Sequence, residues 1–326
     1  MARRGYRSGL AGDIAAFVEQ KRASGHPYDT SAGILGRLDD MVAESFPDAT
    51  TLTREICDAW VEANAGVSAN TLLRRVSPVR QLGKWLVGSG AEAHVIPGGI
   101  PSRGPRYEPH IFTEPELRAL FASIDACPAS DASPTRHYVV PVFFRLLLTC
   151  GLRSSEARLL GAGDVDLATG EVRVGGSKGW EGRVVYVADD MLGLMRRYDR
   201  LVAAVVPGRE AFFPNADGAA YCASTPDVWF HEFWDPLPEA GAVAGNPPRV
   251  HDLRHTYCVY RINQWVREGE DVEALQPYLS EFVGHARFAD TDYYLHLAEP
   301  FWPDLEEMMG DVNERVLPEV PHGRRR

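Results

Sequence analysis

Pro247–Ile262 reads PPRVHDLRHTYCVYRI. The two prolines restrict the chain just ahead of His251, and Leu253, Tyr257 and Val259 or Tyr260 then recur at helical spacing. The stretch therefore predicts a helix over about 249–268. His251 and Arg254 are three residues apart, which puts both on one face of that helix. His251 and His255 are also at i, i+4, the spacing of a zinc pair. HDLRH lacks the adjacent glutamate of HExxH, so metal binding is the lesser reading.

Downstream, residues 280–299 read SEFVGHARFADTDYYLHLAE. Leu279, Phe282 and Val283 form the apolar face of a helix over 272–283. Gly284 closes it, which leaves His285 at its end; taken alone, such a histidine reads as a structural residue. Tyr294 follows nine residues later, with His296 just beyond, and a further helix is expected over 301–315.

Upstream, TCGLRSSEARLL (149–160) ends a buried helix at Gly151 and opens another, with Ser154 or Ser155 available as its cap. Arg153 sits in the corner between them, a rigid mount suited to bidentate phosphate recognition, though an arginine beside a cap is more often a surface salt-bridge partner. Glu156, in the first turn, favours the helix dipole and is placed to orient Arg153. EVRVGGSKGWEGRVVYVA (171–188) alternates valine with polar residues on both sides of a glycine-rich turn, the pattern of a β-hairpin that carries Lys178 at its tip. A lysine beside a phosphodiester can protonate a departing alkoxide, but lysine is also common in turns for no chemical reason. TEPELRAL (113–120) places Thr113 and Glu116 as a capping box with Pro115 in the first turn. Further helices are expected over 139–150, 189–205 and 225–240.

Residues 10–90 carry helical periodicity throughout. SANTLLRRVSPVRQLGKWLVGSG (68–90) lines Arg74, Arg75, Arg80 and Lys84 along a helix or helix pair, a candidate DNA-binding stripe or a solvated face. AEAHVIPGGIPSRGPRYEPH (91–110) lacks periodicity and is rich in proline and glycine. The expected organisation is a helical domain at 1–96, a linker at 97–109 and a second domain at 110–326. The fold class is mainly α with one small antiparallel sheet (α+β).

A length of 326 residues suits two domains, and no apolar stretch approaches the roughly 20 residues of a membrane span. The N-terminal MARRGYRSGLAGD lacks a signal-peptide core and reads as a free arm. The five cysteines are widely spaced and lack any CxxC; Cys150 and Cys258 sit inside apolar patterns and read as core thiols, in a reducing cytoplasm. The net charge of −11 is unevenly divided: residues 1–106 hold 13 Lys and Arg against 11 Asp and Glu, and residues 107–326 hold 21 against 34. Global acidity weakens a nucleic-acid reading without excluding it, because DNA affinity follows the field along the contact surface.

Arg153 in GLRSSEARLL, Lys178 in the hairpin, HDLRHTY with His251 and Arg254, GH with His285, and Tyr294 with its trailing YLHL together resemble the tyrosine recombinase (phage integrase) family. The resemblance covers about residues 108–300; the helical N-terminal part fits the family's core-binding domain more loosely. It implies a site-specific recombinase or transposase of a mobile element that acts on double-stranded DNA as a tetramer, with accessory proteins as further partners and no membrane. Arg153 and Arg254 would neutralise the pentacoordinate phosphate, with His251 and His285 as donors. Tyr294 would attack, with His251 as base, and Lys178 would protonate the leaving 5′-oxygen. The adjacent Tyr293 competes for the nucleophile's role, its other reading being core packing. No metal, ATP or other cofactor is implied. The neighbouring readings are a type IB topoisomerase, a non-catalytic DNA-binding accessory protein, and a zinc hydrolase built on His251 and His255.

Overall fold

The computed structural model describes residues 5–25, 28–102, 104, 107–175, 182–285 and 289–297. Lys178 and the helix expected over 301–315 lie outside these. The chain divides into two compact units, Met1–Arg106 and Tyr107–Arg326. Among the described residues, no helix is long and apolar enough to cross a membrane.

Among the described residues, the first unit packs four helices: α1 (Ala11–Ala23), α2 (Asp29–Ser45), α3 (Arg54–Ala63) and α4 (Ala69–Gly88). Thr53 and Ser68 start α3 and α4 by accepting from the backbone N–H groups of Ile56 and Thr71. Leu10, Ile14, Phe17, Leu35, Leu38, Ile56, Val79 and Leu82 make the core. The basic stretch that sequence leaves as one helix or two is a single helix, and α4 runs through Pro78. Its stripe divides. Arg74 and Lys84 are exposed. Arg75, in contrast, donates to Asn64 Oδ1 at 2.8 Å. Arg80 spends its guanidinium on the carbonyls of Ile96 (2.9 Å), Pro97 (3.0 Å) and Ile100, so the start of the proline- and glycine-rich segment is fastened to α4.

In the second unit, α5 (Glu114–Asp125) begins where Glu116 accepts from the N–H of Thr113 at 2.7 Å, the capping box read from the sequence. The apolar α6 (Arg136–Cys150) is the central rod and packs against α5 and against later helices on its other sides. Gly151 ends it at φ 59°, a left-handed conformation that glycine adopts without strain. A short α7 (Ser154–Arg158) leads through a 3₁₀ turn into a three-stranded antiparallel sheet, β1 (Val165–Asp166), β2 (Glu171–Val174) and β3 (Arg183–Tyr186), paired in sequence order. The β2–β3 hairpin matches the sequence pattern, with Val172 opposite Val185. The two-residue β1 was too short to show periodicity.

The remaining elements among the described residues are helices: α8 (Asp189–Val205), α9 (Thr225–Trp234), α10 (Pro238–Ala242), α11 (Asp252–Glu268), α12 (Val272–Val283) and α13 (Ala289–Leu297). Where one helix was expected over 225–240, the chain breaks between α9 and α10, and Pro238 opens the second piece. Phe143, Phe144, Leu146, Leu147, Phe213 and Trp229 centre the main core. A second cluster of Cys258, Val259, Ile262, Leu279, Val283 and Tyr294 joins α11, α12 and α13. Cys150 and Cys258 are buried free thiols.

Candidate active site

Helix ends assemble this site. The last carbonyls of a helix have no partner within it and attract donors. Arg153 Nη2 donates to the Gly284 carbonyl just beyond α12 at 2.7 Å, and Arg183 Nε, from β3, donates to the Phe282 carbonyl at 2.7 Å. Arg254 Nη1, from the first turn of α11, donates to the Gly151 carbonyl at the end of α6, also at 2.7 Å. Three arginines far apart in sequence thus converge on the corner that carries Arg153.

Glu156 offsets their repulsion. Its carboxylate accepts from Arg153 Nη1 (2.6 Å), from the Arg153 backbone N–H (2.8 Å) and from Arg183 Nη1 and Nη2 (3.0 and 2.9 Å). Arg254 Nη1 stands 4.0 Å from it. Glu156, rather than Ser154 or Ser155, therefore satisfies the first N–H of the corner. Burial alone would raise its pKa; the hydrogen bonds from Arg183 and from the Arg153 backbone, with both positive charges, outweigh burial and hold it at about 2.

Arg254 is 1% exposed, and its Nη2 has no hydrogen-bond partner among the described residues. Burial, then the charge of Arg153, lowers its pKa to about 10, which still leaves it cationic at neutral pH. A desolvated guanidinium edge with a spare donor is an anion-binding element in want of an anion. His251 flanks it at the entry to α11. Asp252, which accepts from Tyr107 Oη at 2.7 Å and from the Arg249 N–H at 2.9 Å, pins that entry. Burial, then Arg254 and Arg153, depresses His251 to about 4. His285, turned in by Gly284, donates to or accepts from Thr291 Oγ1 through Nδ1 at 2.7 Å, and burial followed by the same two arginines holds it at about 3. Both rings are neutral near pH 7.

Tyr294 lies in this cluster and is 2% exposed. The His285 ring stacks on it, with centroids 5.7 Å apart and planes 20° from parallel. Burial, then the neighbouring Cys258, raises its phenol pKa, so it holds its proton. Tyr293 faces elsewhere, its hydroxyl 3.5 Å from the Tyr107 carbonyl. Tyr294, which its spacing from His285 and the following His296 favour in the sequence, thus has different surroundings from Tyr293.

Sequence reasoning left two participants unassigned. Arg183 looked like one more residue of a strand. His255 entered only as half of a zinc pair, yet its Nδ1 lies 2.9 Å from Tyr294 Oη, and its ring meets His251 edge to face with centroids 4.9 Å apart. The i, i+4 spacing within HDLRH is the available signal, and it places His251 and His255 side by side on one helix face. Among the described residues, no group of three His, Cys, Asp or Glu side chains is arranged to hold a metal ion.

Comparison with known proteins gives three kinds of match. Residues 111–300 fit the model of the phage integrase family. The y4rE protein of Sinorhizobium fredii, described as an integrase/recombinase, is 30% identical over 88% of this chain and 91% of its own length. The tyrosine recombinase XerD of Pseudomonas aeruginosa is 27% identical over 76% of this chain and 77% of its own length. Among solved structures, the Tn1549 transposon integrase in complex with transposon right-end DNA superposes with a TM-score of 0.63 at 13% identity, over 86% of this chain and 94% of that one.

Proposed function

The chain belongs to the phage integrase family of tyrosine recombinases, enzymes that cleave and rejoin DNA, and from that premise we propose that it recombines specific duplex sites through a covalent 3′-phosphotyrosyl link to Tyr294. The reaction serves the integration or excision of a mobile element, in a DNA-bound tetramer, in the cytoplasm. The observation that carries this reading is the unpartnered Arg254 Nη2, buried beside Arg153, His251, His285 and Tyr294.

A phosphodiester in this cluster supplies the missing acceptor. As Tyr294 Oη attacks phosphorus, negative charge grows on the non-bridging oxygens, and donors already fixed on helix ends meet it without reorganising. Arg153 and Arg254 are the cations of that cradle. Glu156 keeps Arg153 in its rotamer, and His251 and His285, both neutral, complete it as hydrogen-bond donors. Lys178 protonates the 5′-oxygen as it leaves. The ester to Tyr294 stores the energy of the broken bond, so rejoining needs no nucleotide cofactor. In the first unit, Arg74 and Lys84, the exposed half of the α4 stripe, contact DNA phosphates.

The test uses duplexes selected from a random-sequence library by binding to the chain, then nicked at successive positions so that a cleaved strand end diffuses away. A denaturing gel should show protein joined to DNA for the native chain and for Tyr293→Phe, and none for Tyr294→Phe. No adduct on DNA that the native chain binds would leave a non-catalytic DNA-binding accessory protein. Adduct accompanied by relaxation of supercoiled DNA by a monomer would make it a topoisomerase.

A further inference from the structure

Any phenol that attacks phosphorus must lose its proton, and the ring nitrogen that hydrogen-bonds with Tyr294 Oη among the described residues is not that of His251. It is Nδ1 of His255, at 2.9 Å, with the ring centroids 5.4 Å apart. His251, the base expected from sequence, is one ring further out, edge-on to His255. His285 lies over the face of the tyrosine ring and directs its own Nδ1 to Thr291. The path from the phenol therefore leads to His255.

We propose that His255 is a catalytic residue of this recombinase: as the unprotonated Nδ1 of the Nε2–H tautomer, it accepts the phenolic proton of Tyr294 during cleavage and returns it during rejoining. The inference rests on Tyr294 being the nucleophile. In the forward step the phenolic O–H bond breaks and its hydrogen passes to Nδ1 as a proton. The electron pair left on Oη forms the O–P bond, while the P–O5′ bond breaks and its pair leaves on the 5′-oxygen, which takes a proton from Lys178 or solvent. In the reverse step the 5′-hydroxyl gives its proton to the neutral Lys178 amine or to solvent and its electron pair forms the P–O5′ bond, while the P–Oη bond breaks with its pair on the departing phenolate, which recovers its proton from the His255 imidazolium.

The surroundings explain why this transfer waits for DNA. His255 faces His251, Arg254 and Arg249 of its own helix and helix entry, His285 from the end of α12, and Tyr294 from α13. Burial, followed by His251 and Arg254, holds it at about 3, so without substrate it is a poor base opposite a phenol that keeps its proton. A phosphodiester seated on Arg153 and Arg254 brings the negative charge that these positions lack. It offsets the arginines that oppose an imidazolium and makes His255 more basic when the nucleophile is needed. The same arrangement keeps Tyr294 unreactive toward other electrophiles when no DNA is bound.

The decisive variant is His255→Asn, whose side-chain oxygen can still accept the phenolic hydrogen bond near the Nδ1 position but cannot carry the proton away. Single-turnover adduct formation is followed on a nicked duplex and on the same duplex with a bridging 5′-phosphorothiolate, whose sulfur leaves without protonation. The expected result is a loss of about 100-fold or more on both substrates, the lower end of general-base contributions, with DNA affinity retained. A loss within about tenfold on the phosphorothiolate reduces His255 to a packing or hydrogen-bonding role and overturns the proposal. If the variant does not fold, ¹⁵N NMR of the native protein without DNA decides instead: an unprotonated Nδ1 and protonated Nε2 on His255 support the proposal, and an Nδ1–H tautomer overturns it. No adduct from the native chain on DNA that it binds removes the enzyme reading and this one together. Native adduct with an unaffected His255→Asn removes this one alone.

Discussion

Replacing Glu156 by glutamine keeps the side chain's shape and one carbonyl acceptor but removes the charge that Arg153, Arg183 and Arg254 share. The carboxylate is ordinarily near 4.5 and sits at about 2 in the fold, a gap of roughly two and a half units. At about 1.4 kcal/mol per unit, ionised Glu156 stabilises the folded chain by about 3 kcal/mol at neutral pH. A depressed carboxylate contributes fully above its unfolded pKa and loses its contribution as pH falls through its folded one. The difference between native and Glu156→Gln proteins should therefore be full at pH 6, about half near pH 3, and gone below pH 2. In a unit of this size it corresponds to a melting-temperature decrease of roughly 6–12 °C at pH 7. The assay is paired urea and thermal unfolding of the two full-length proteins across that pH range, which cancels groups that titrate in both. Equal stability at pH 7, or a deficit that stays constant down to pH 3, would refute the assignment of Glu156 as the charge that holds the arginine cluster together.

Gly284→Ala would put a methyl group 2.7 Å from Arg183 Nη1 on a backbone at φ +70°; it should cost about 1–2 kcal/mol and slow adduct formation by displacing His285, read by melting and single-turnover kinetics. Arg80→Ala should lower the stability of the first unit by freeing the Ile96, Pro97 and Ile100 carbonyls, whereas Arg74→Ala should leave stability unchanged and reduce the salt slope of DNA binding by about 1, a contrast that paired melting and salt titrations would reverse if the α4 stripe were misassigned. His251, His255 and His285 are held at about 4, 3 and 3, so the unfolded chain takes up their protons first and stability should fall as pH drops below 6.5. The slope between pH 6 and pH 5 should shrink by up to about one proton in His285→Asn; a slope unchanged by that substitution would count against its depressed pKa.

Local order was legible in the sequence wherever the signal was local. The helices at 189–205 and 272–283, the β2–β3 hairpin, the Thr113–Glu116 box and the glycines that end α6 and α12 all follow from periodicity, capping and backbone freedom within a few residues. The family was legible too, because the order of Arg153, His251, Arg254, His285 and Tyr294 along the chain is a property of the sequence alone.

Only the tertiary structure decided which groups share a charge and which nitrogen meets the phenol. Ser154 and Ser155 looked like caps, but the corner's N–H goes to Glu156, held by Arg183 from 27 residues away. Arg80 reads in the sequence as one of a basic stripe, and only the fold shows that it donates to three carbonyls of the following segment. His255 is separated from Tyr294 by 39 residues, and their 2.9 Å contact exists because α11 and α13 pack through Cys258 and Val259. Spacing along one helix shows which face a residue occupies; what stands opposite that face is set by packing between helices, through burial and desolvation that no local pattern encodes.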